Sequence, residues 1–272
     1  MNRIFRFLLI AFSVVIVVSC GEYQKVLKST DYEYKYKKAR EYYDAKQYAK
    51  SVTLYEELVP IYSGTSKAAE SYYYFAKSYL GQKDYYSAAM YFRSVLEKYP
   101  RSEYAQESQF LVGYCFYKLS PYVRLDQSDT NIAISALTRY MMLYPETENA
   151  KEAEHMVQKL NEKLVYKAYL NATLYYDLED YKAAVVSLNQ CLRDYPKSTY
   201  EEDLMYKLFR SKYLLGKNSV VEKKRKRMMN AMDEYYRFID AFPNSKHRKE
   251  VDRAFANIKK MLNLKEEDLN IK

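Results

Sequence analysis

Four times in the chain an aromatic residue is followed by proline, any residue, and a hydroxyl residue. The copies are Tyr99-Pro100-Arg101-Ser102, Tyr144-Pro145-Glu146-Thr147, Tyr195-Pro196-Lys197-Ser198 and Phe242-Pro243-Asn244-Ser245. A fifth copy, Tyr62-Ser63-Gly64-Thr65, has lost the proline and kept the frame. Recurrence every 37 to 51 residues or so is the mark of a structural repeat, which restricts the fold to stacked units before any single site is considered. The proline is expected to end one helix. The Ser or Thr two places on is expected to cap the next, by accepting a hydrogen bond from an orphaned backbone N–H.

Between these marks the chain reads as helix. Only 5 Gly and 6 Pro interrupt 272 residues. From Tyr72 to Tyr99 the apolar residues return at helical spacing, as Tyr72, Phe75, Ala76, Tyr79, Leu80, then Ala88, Ala89, Phe92, Val95 and Leu96. The break is Gly81-Gln82-Lys83-Asp84, where Gly81 suits a left-handed helix end and Asp84 an N-cap. Thr30-Asp31-Tyr32-Glu33 and Ser198-Thr199-Tyr200-Glu201 read as capping boxes. No strand-like alternation is sustained.

This pattern resembles the tetratricopeptide repeat (TPR), a pair of antiparallel helices about 34 residues long. The small residue of the first helix is Ala39, Ala76, Gly113 and Ala172 in successive copies. The aromatic opening the second helix is Tyr48, Tyr85 and Tyr181. The small residue at the helix crossing is Ser51, Ala88, Ala133, Ala184 and Ala231, followed one turn later by Tyr55, Phe92, Leu137, Leu188 and Tyr235. A larger side chain at the crossing would cost about 1–3 kcal/mol through overpacking. The expected fold is therefore all-α, a right-handed α-solenoid of about five TPR-like helix pairs. Repeats are placed near 31–65, 66–102, 103–147, 148–198 and 199–245, within a solenoid of 31–262 that closes on a C-terminal helix and a tail, 263–272. The third repeat carries extra residues around Pro121 to Thr130, and the fifth a basic insertion around Lys217 to Arg227. A long helix is expected from about Asn149 to Tyr176.

The N-terminus supplies an address. Arg3 and Arg6 precede an apolar run from Phe7 to Val18, and the run ends at Val17-Val18-Ser19-Cys20. A charged start, an apolar stretch too short for a comfortable span and a small-residue end make a secretory signal. Its last four residues resemble the bacterial lipobox, so 1–19 is expected to be removed and Cys20 lipidated, with 20–30 as a linker. Several acyl chains, at about 0.8 kcal/mol per buried methylene, hold a protein stably on a membrane. Losing Arg3 and Arg6 lowers the formal charge by two from +9. The remaining surplus favours acidic partners or anionic lipid. The run Lys223-Lys224-Arg225-Lys226-Arg227 has two open uses, a solvated helix start or loop and a docking patch. Nucleic acid is not expected as a partner of an exported lipoprotein.

A search for catalytic chemistry comes back nearly empty. His155 and His247 are far apart, and neither has a second His or Cys at metal-ligand spacing. Both read as exposed helix residues. Gly at 21, 64, 81, 113 and 216 builds no phosphate cradle, and no Ser sits in a nucleophile elbow. The interspersed carboxylates read as solvated helix faces. Cys115 and Cys191 read as core thiols. The chain is therefore expected to be no enzyme and to hold no cofactor or metal.

The aromatic content is unusual, with 34 Tyr, 11 Phe and no Trp. TPR proteins line a ligand groove with the inner face of each first helix. By that resemblance the groove here would take Tyr36, Arg40 and Tyr43; then Glu70, Tyr73 and Lys77; then Phe110, Tyr114 and Tyr117. Tyr offers large apolar area and a hydroxyl at low rotamer cost, which suits peptide binding. The competing use of these rings is packing on neighbouring repeats or on the N-terminal segment.

Taken whole, the chain resembles the BamD family of lipoproteins of the outer-membrane β-barrel assembly machinery. The resemblance rests on the lipobox, the short linker, five repeats, the enlarged third repeat and the long helix after it. It is best around Tyr166-Lys167-Ala168-Tyr169, Tyr175-Tyr176 and Cys191-Leu192-Arg193-Asp194-Tyr195-Pro196. It implies a periplasm-facing scaffold lipid-anchored in the outer membrane, working with other assembly lipoproteins. The C-terminal repeats would bind the periplasmic POTRA domains of the barrel insertase BamA. The N-terminal repeats would receive unfolded outer-membrane proteins carrying a C-terminal aromatic signal. The basic insertion departs from the family's short repeats. A TPR lipoprotein that tethers or activates cell-wall hydrolases is the alternative, and the lack of Trp argues against glycan capture.

Overall fold

The computed structural model describes residues 21–264, and among them there is helix and no strand. Cys20 lies outside the described residues, as do the expected leader, 1–19, and most of the expected tail. Residues 21–28 are helical. They are followed by α1 (Tyr32–Asp44), α2 (Tyr48–Ile61), α3 (Ala68–Gly81), α4 (Tyr85–Lys98), α5 (Ala105–Leu119), α6 (Ser128–Leu143), α7 (Glu148–Asp177), α8 (Tyr181–Asp194), α9 (Glu201–Lys217), α10 (Val221–Ala241) and α11 (Arg248–Leu262). The chain forms two compact units, Met1–Asn161 and Glu162–Lys272, with the division inside the 30-residue α7.

In the first unit the helices from α1 to α6 pack in chain order, each on the next. Its core holds Leu54, Tyr55, Phe75, Ala76, Ala88, Phe92, Ala133 and Leu137, and α7 adds Ala150, Ala153, Met156 and Leu160. The crossing residues Ser51, Ala88 and Ala133 are fully buried. Ser51 Oγ satisfies itself on the Ala39 carbonyl at 3.0 Å and on Ser78 Oγ at 2.9 Å. In the second unit one cluster joins Ala172, Ala184, Leu188 and Leu204, and another joins Phe209, Met228, Ala231, Phe238, Val251 and Ile258.

The punctuation works through the proline. Tyr99, Tyr144, Tyr195 and Phe242 are the C-caps of α4, α6, α8 and α10. All have φ between −132° and −136° and ψ between 53° and 67°. A following proline closes the helical region to the residue before it. Tyr62, which has no following proline, instead holds φ −85°, ψ 1°, and the chain turns at Gly64 with φ +80°. The hydroxyl residues are less uniform than expected. Thr65, Thr147 and Ser245 accept from the N–H groups of Lys67, Ala150 and His247. Ser102 and Ser198 cap nothing with their side chains. There the backbone alone closes the turn, from Ala105 N to Ser102 O and from Glu201 N to Ser198 O.

The two capping-box readings are corrected. Asp31, not Thr30, caps α1 by accepting from Tyr34 N at 3.0 Å, and Glu33 turns instead to Tyr62 and Lys67. The N-cap of α9 is Tyr200, without a side-chain bond.

The reading of Gly81 is also corrected. The left-handed residues of the turns within repeats are Lys46, Lys83 and Glu179, with φ of 59°, 64° and 61°. Gln47 N and Asp84 N reach back to Tyr42 O and Tyr79 O, the six-to-one bond of a Schellman helix end. Gly81 is helical, and its bare Cα admits a neighbour: a Cβ there would lie 2.6 Å from three ring atoms of Tyr48. Asp84 and Asp180 do cap α4 and α8, accepting from Ser87 N and Ala183 N at 3.1 Å.

Candidate functional site

Four of the five first helices offer the next a tyrosine, and three of these add a cation one turn on: Tyr36 with Arg40, Tyr73 with Lys77, Tyr206 with Arg210, and Tyr169 alone. What they meet is a carboxylate eight residues past each punctuating aromatic: Glu70, Glu107, Glu152, Asp203 and Glu250. The clearest case joins α3 to α5. Tyr73 Oη donates to Glu107 Oε2 at 2.5 Å, and Lys77 Nζ donates to Oε1 at 2.8 Å. The Tyr73 ring stacks on Tyr104 at 4.7 Å. Burial pushes the Glu107 carboxyl up, but the bonds from Lys77 and Tyr73 outweigh it and hold the group below the usual carboxylate range. Burial and the same carboxylate raise the Tyr73 phenol.

The device recurs. Between α1 and α3, Arg40 Nη1 donates to Glu70 Oε1 at 3.2 Å. Tyr36 Oη faces Glu70 without completing a hydrogen bond, and Lys67 Nζ stands 4.8 Å from the Tyr36 ring centroid. In the second unit, Tyr169 Oη donates to Asp203 Oδ2 at 2.9 Å, and its ring stacks on Tyr200 at 4.4 Å. Thr173 holds the cation's place there, and Lys207 pairs with Asp203 at 3.0 Å. Tyr206 Oη donates to Glu250 Oε2 at 2.7 Å, Arg210 Nε lies 3.3 Å from Oε1, and the Tyr206 ring stacks on His247 at 3.8 Å. His247 is therefore half-buried packing, not the exposed residue expected, while His155 is exposed.

The nine expected groove residues fall on α1, α3 and α5 of the first unit. Tyr73 and Phe110 are 5% and 6% exposed. The Tyr73 ring packs on Tyr104 of the next repeat and the Phe110 ring on Tyr140 of its own, both in the core, which corrects the expectation that they present themselves to a ligand. Tyr36, Arg40 and Lys77 belong to the clasps. Tyr43 lies edge-on to Tyr74 at 5.1 Å, and the Arg40 guanidinium sits 3.8 Å over the Tyr74 ring. Tyr114 and Tyr117 are half-buried, with Lys118 near both rings. Tyr74 and the carboxylates after Glu70 were missed as a set. The available signal was the constant eight-residue offset from each aromatic.

The basic run is not a looped insertion. Lys223, Lys224, Arg225, Lys226 and Arg227 fill the first two turns of α10, with only Glu222 as an acidic residue in the first turn. Lys223, Arg225 and Lys226 are exposed, and Arg227 Nη1 donates to Ser219 Oγ at 2.6 Å. A cationic N-terminus opposes the helix dipole. Both thiols are free and buried, and burial pushes the Cys115 thiol up to about 12. Among the described residues no group of three His, Cys, Asp or Glu side chains is placed to hold a metal.

Stacked helix pairs joined by carboxylate clasps define a helical-repeat scaffold of the tetratricopeptide kind. Residues 29–228, and 175–271 in an overlapping second match, fit the family model described as YfiO, outer membrane lipoprotein, and the chain belongs to that family. It is 23% identical over 232 residues to the putative outer membrane protein assembly factor BamD of Aquifex aeolicus, spanning 84% of this chain and 74% of that one. A TPR repeats protein of Bacteroides fragilis superposes with a TM-score of 0.41 at 16% identity, over 86% of this chain and 100% of that chain. The TPR2AB domain of yeast Sti1, in its pHSP90 complex, gives 0.38 at 14% identity, over 84% and 98%.

Proposed function

We propose that the chain is a non-enzymatic scaffold of outer-membrane β-barrel assembly, anchored in the outer membrane by lipid on Cys20 and facing the periplasm. It binds the periplasmic POTRA domains of a BamA-like insertase, works beside other assembly lipoproteins and receives unfolded barrel proteins. The observation that carries this reading is the family match over 29–228, joined by the assembly-factor relative. The exposed cations of α10 fit a docking patch for an acidic partner surface or lipid headgroups. The half-buried rings of Tyr43, Tyr114 and Tyr117 fit a peptide-receiving face.

Affinity capture from detergent-solubilised envelopes tests the reading. A BamA-like barrel protein should come down with the chain. Recovery of cell-wall hydrolases, with the barrel protein absent, would sink it. Cys20→Ser should release the chain from membranes once its partners are depleted, and unchanged membrane association would remove the anchor from the proposal.

A further inference from the structure

The third junction, α5 to α7 within the first unit, breaks the clasp in three places at once. The carboxylate is present as Glu152, eight residues past Tyr144. In the register of Tyr73 and Lys77, however, α5 carries Phe110 and Tyr114, so both the hydroxyl and the cation are gone. The stacking position filled by Tyr104, Tyr200 or His247 elsewhere is Asn149. Glu152 is exposed, and among the described residues it enters no ion pair and no side-chain hydrogen bond. It borders a cleft of about 420 Å³ whose other walls include Leu80, Tyr85, Phe110, Leu111 and Tyr114, a volume within the range of roughly 300–1,000 Å³ usual for ligand pockets.

We propose that this open clasp is a docking site for an extended peptide segment of a partner that carries a basic side chain beside an aromatic one. The cation takes Glu152, as Arg40, Lys77 and Arg210 take their carboxylates. The aromatic ring lies against the half-buried Tyr85 and Tyr114, which border the same cleft. Charge complementarity commits the occupant: the junction keeps the acid and lacks the cation that the other clasps supply. Lys83 also borders the cleft and is the one group there that would favour an acidic segment instead. The inference does not depend on which partner supplies the segment, so it stands or falls apart from the assembly reading.

The test uses the full lipidated chain in detergent and a fluorescent heptapeptide with one Phe and one Arg among glycines and serines. Its partners are the citrulline isostere, which keeps the shape and loses the charge, and a Glu version. At low salt the Arg peptide should bind about fivefold more tightly than the citrulline peptide, the scale of a partly exposed ion pair. Glu152→Gln should erase that ratio, while Glu154→Gln, exposed on the same helix, should leave it. Tyr114→Lys restores the missing cation within the chain, so it should raise the melting temperature and compete the Arg peptide out. Equal binding of the Arg and citrulline peptides would overturn the proposal. So would a ratio that survives Glu152→Gln, or a preference for the Glu peptide, which would give the cleft to Lys83.

Discussion

The clasp between α3 and α5 can be dismantled one atom at a time. Tyr73→Phe removes only the hydroxyl that donates to Glu107 at 2.5 Å and leaves the ring stacked on Tyr104. Glu107→Gln keeps an acceptor for Tyr73 but loses the charge facing Lys77 at 2.8 Å. A hydrogen bond to a charged group is worth about 1.5–3 kcal/mol when buried. The Tyr73 end is buried, but the Glu107 side chain is 46% exposed, and water recovers part of the loss. Each single variant should therefore cost about 1 kcal/mol. Because Glu107→Gln turns the Tyr73 bond from charge-assisted to neutral, both variants weaken the same contact, and the double variant should cost less than their sum by about 0.5–0.8 kcal/mol. All three residues lie in the first unit, so urea unfolding followed by circular dichroism should show the cycle in that unit's transition. Tyr86→Phe, whose exposed hydroxyl joins no clasp, serves as the control and should change nothing measurable. Costs that add to within about 0.3 kcal/mol would show that hydroxyl and carboxylate act independently and that the clasp is only a juxtaposition.

Gly113→Ala should destabilise the first unit by about 2 kcal/mol, because the added Cβ would stand 2.6 Å from Cγ and Cδ2 of buried Leu137 and 3.2 Å from its backbone N; a melt unchanged from wild type would refute that fit. Lys46→Val should cost about 1 kcal/mol and Lys46→Gly nothing, since φ is 59° there and a branched side chain resists the left-handed region; the pair is read by thermal melts. Burial, with acidic neighbours second, pushes the Tyr62, Tyr104 and Tyr235 phenols up to about 12, and burial alone does so for the Cys115 thiol. Folded values raised above the unfolded ones mean full stability below about pH 8.5 for the thiol and pH 10 for the phenols, lost as pH climbs toward 12. Tyrosinate absorbance should accordingly show a late cooperative step that coincides with loss of helix and with rapid thiol labelling; smooth titration of every tyrosine near pH 10 would contradict it.

What the sequence revealed, and what it hid, divides by the range of the interaction. Tyr48, Tyr85 and Tyr181 open α2, α4 and α8, and the prolines fix the dihedrals of the residues before them. Those are local effects, visible in a window of a few residues. The clasps were not visible in that way. Glu107 meets a hydroxyl 34 residues back and an ammonium 30 back, so helical periodicity shows it only as one more polar residue on a solvated face. Gly81 misled for a related reason. Its neighbours in the chain suggested a helix end, while the atom that needs its missing Cβ is a ring on α2. Tyr73 and Phe110 were legible as inward-facing, but whether an inward ring meets a ligand or the next repeat depends on spacing between helices that sequence does not state. The basic run was legible as charge and not as conformation, because nothing in Lys223 to Arg227 separates a loop from two turns of helix.

The clasps bear on where a partner can bind. A groove residue committed to a neighbouring repeat is not available to a ligand without breaking a bond the fold uses. Tyr73, Lys77 and Arg40 are committed in this way. The residues that set the spacing of the first helices are thus poor candidates for recognition, however well their positions match a TPR groove. On the proposed reading, docking in the first unit falls to side chains with no such duty, and α5 holds two of them. Tyr114 and Tyr117 are half-buried and join no clasp, and Glu152 stands eight residues beyond its punctuating tyrosine without a cation. The same five-fold placement of the carboxylate that closes a clasp at four junctions therefore makes the third conspicuous. One substitution at that junction, Tyr114→Lys, separates the two roles, because it should increase stability and remove binding in the same protein.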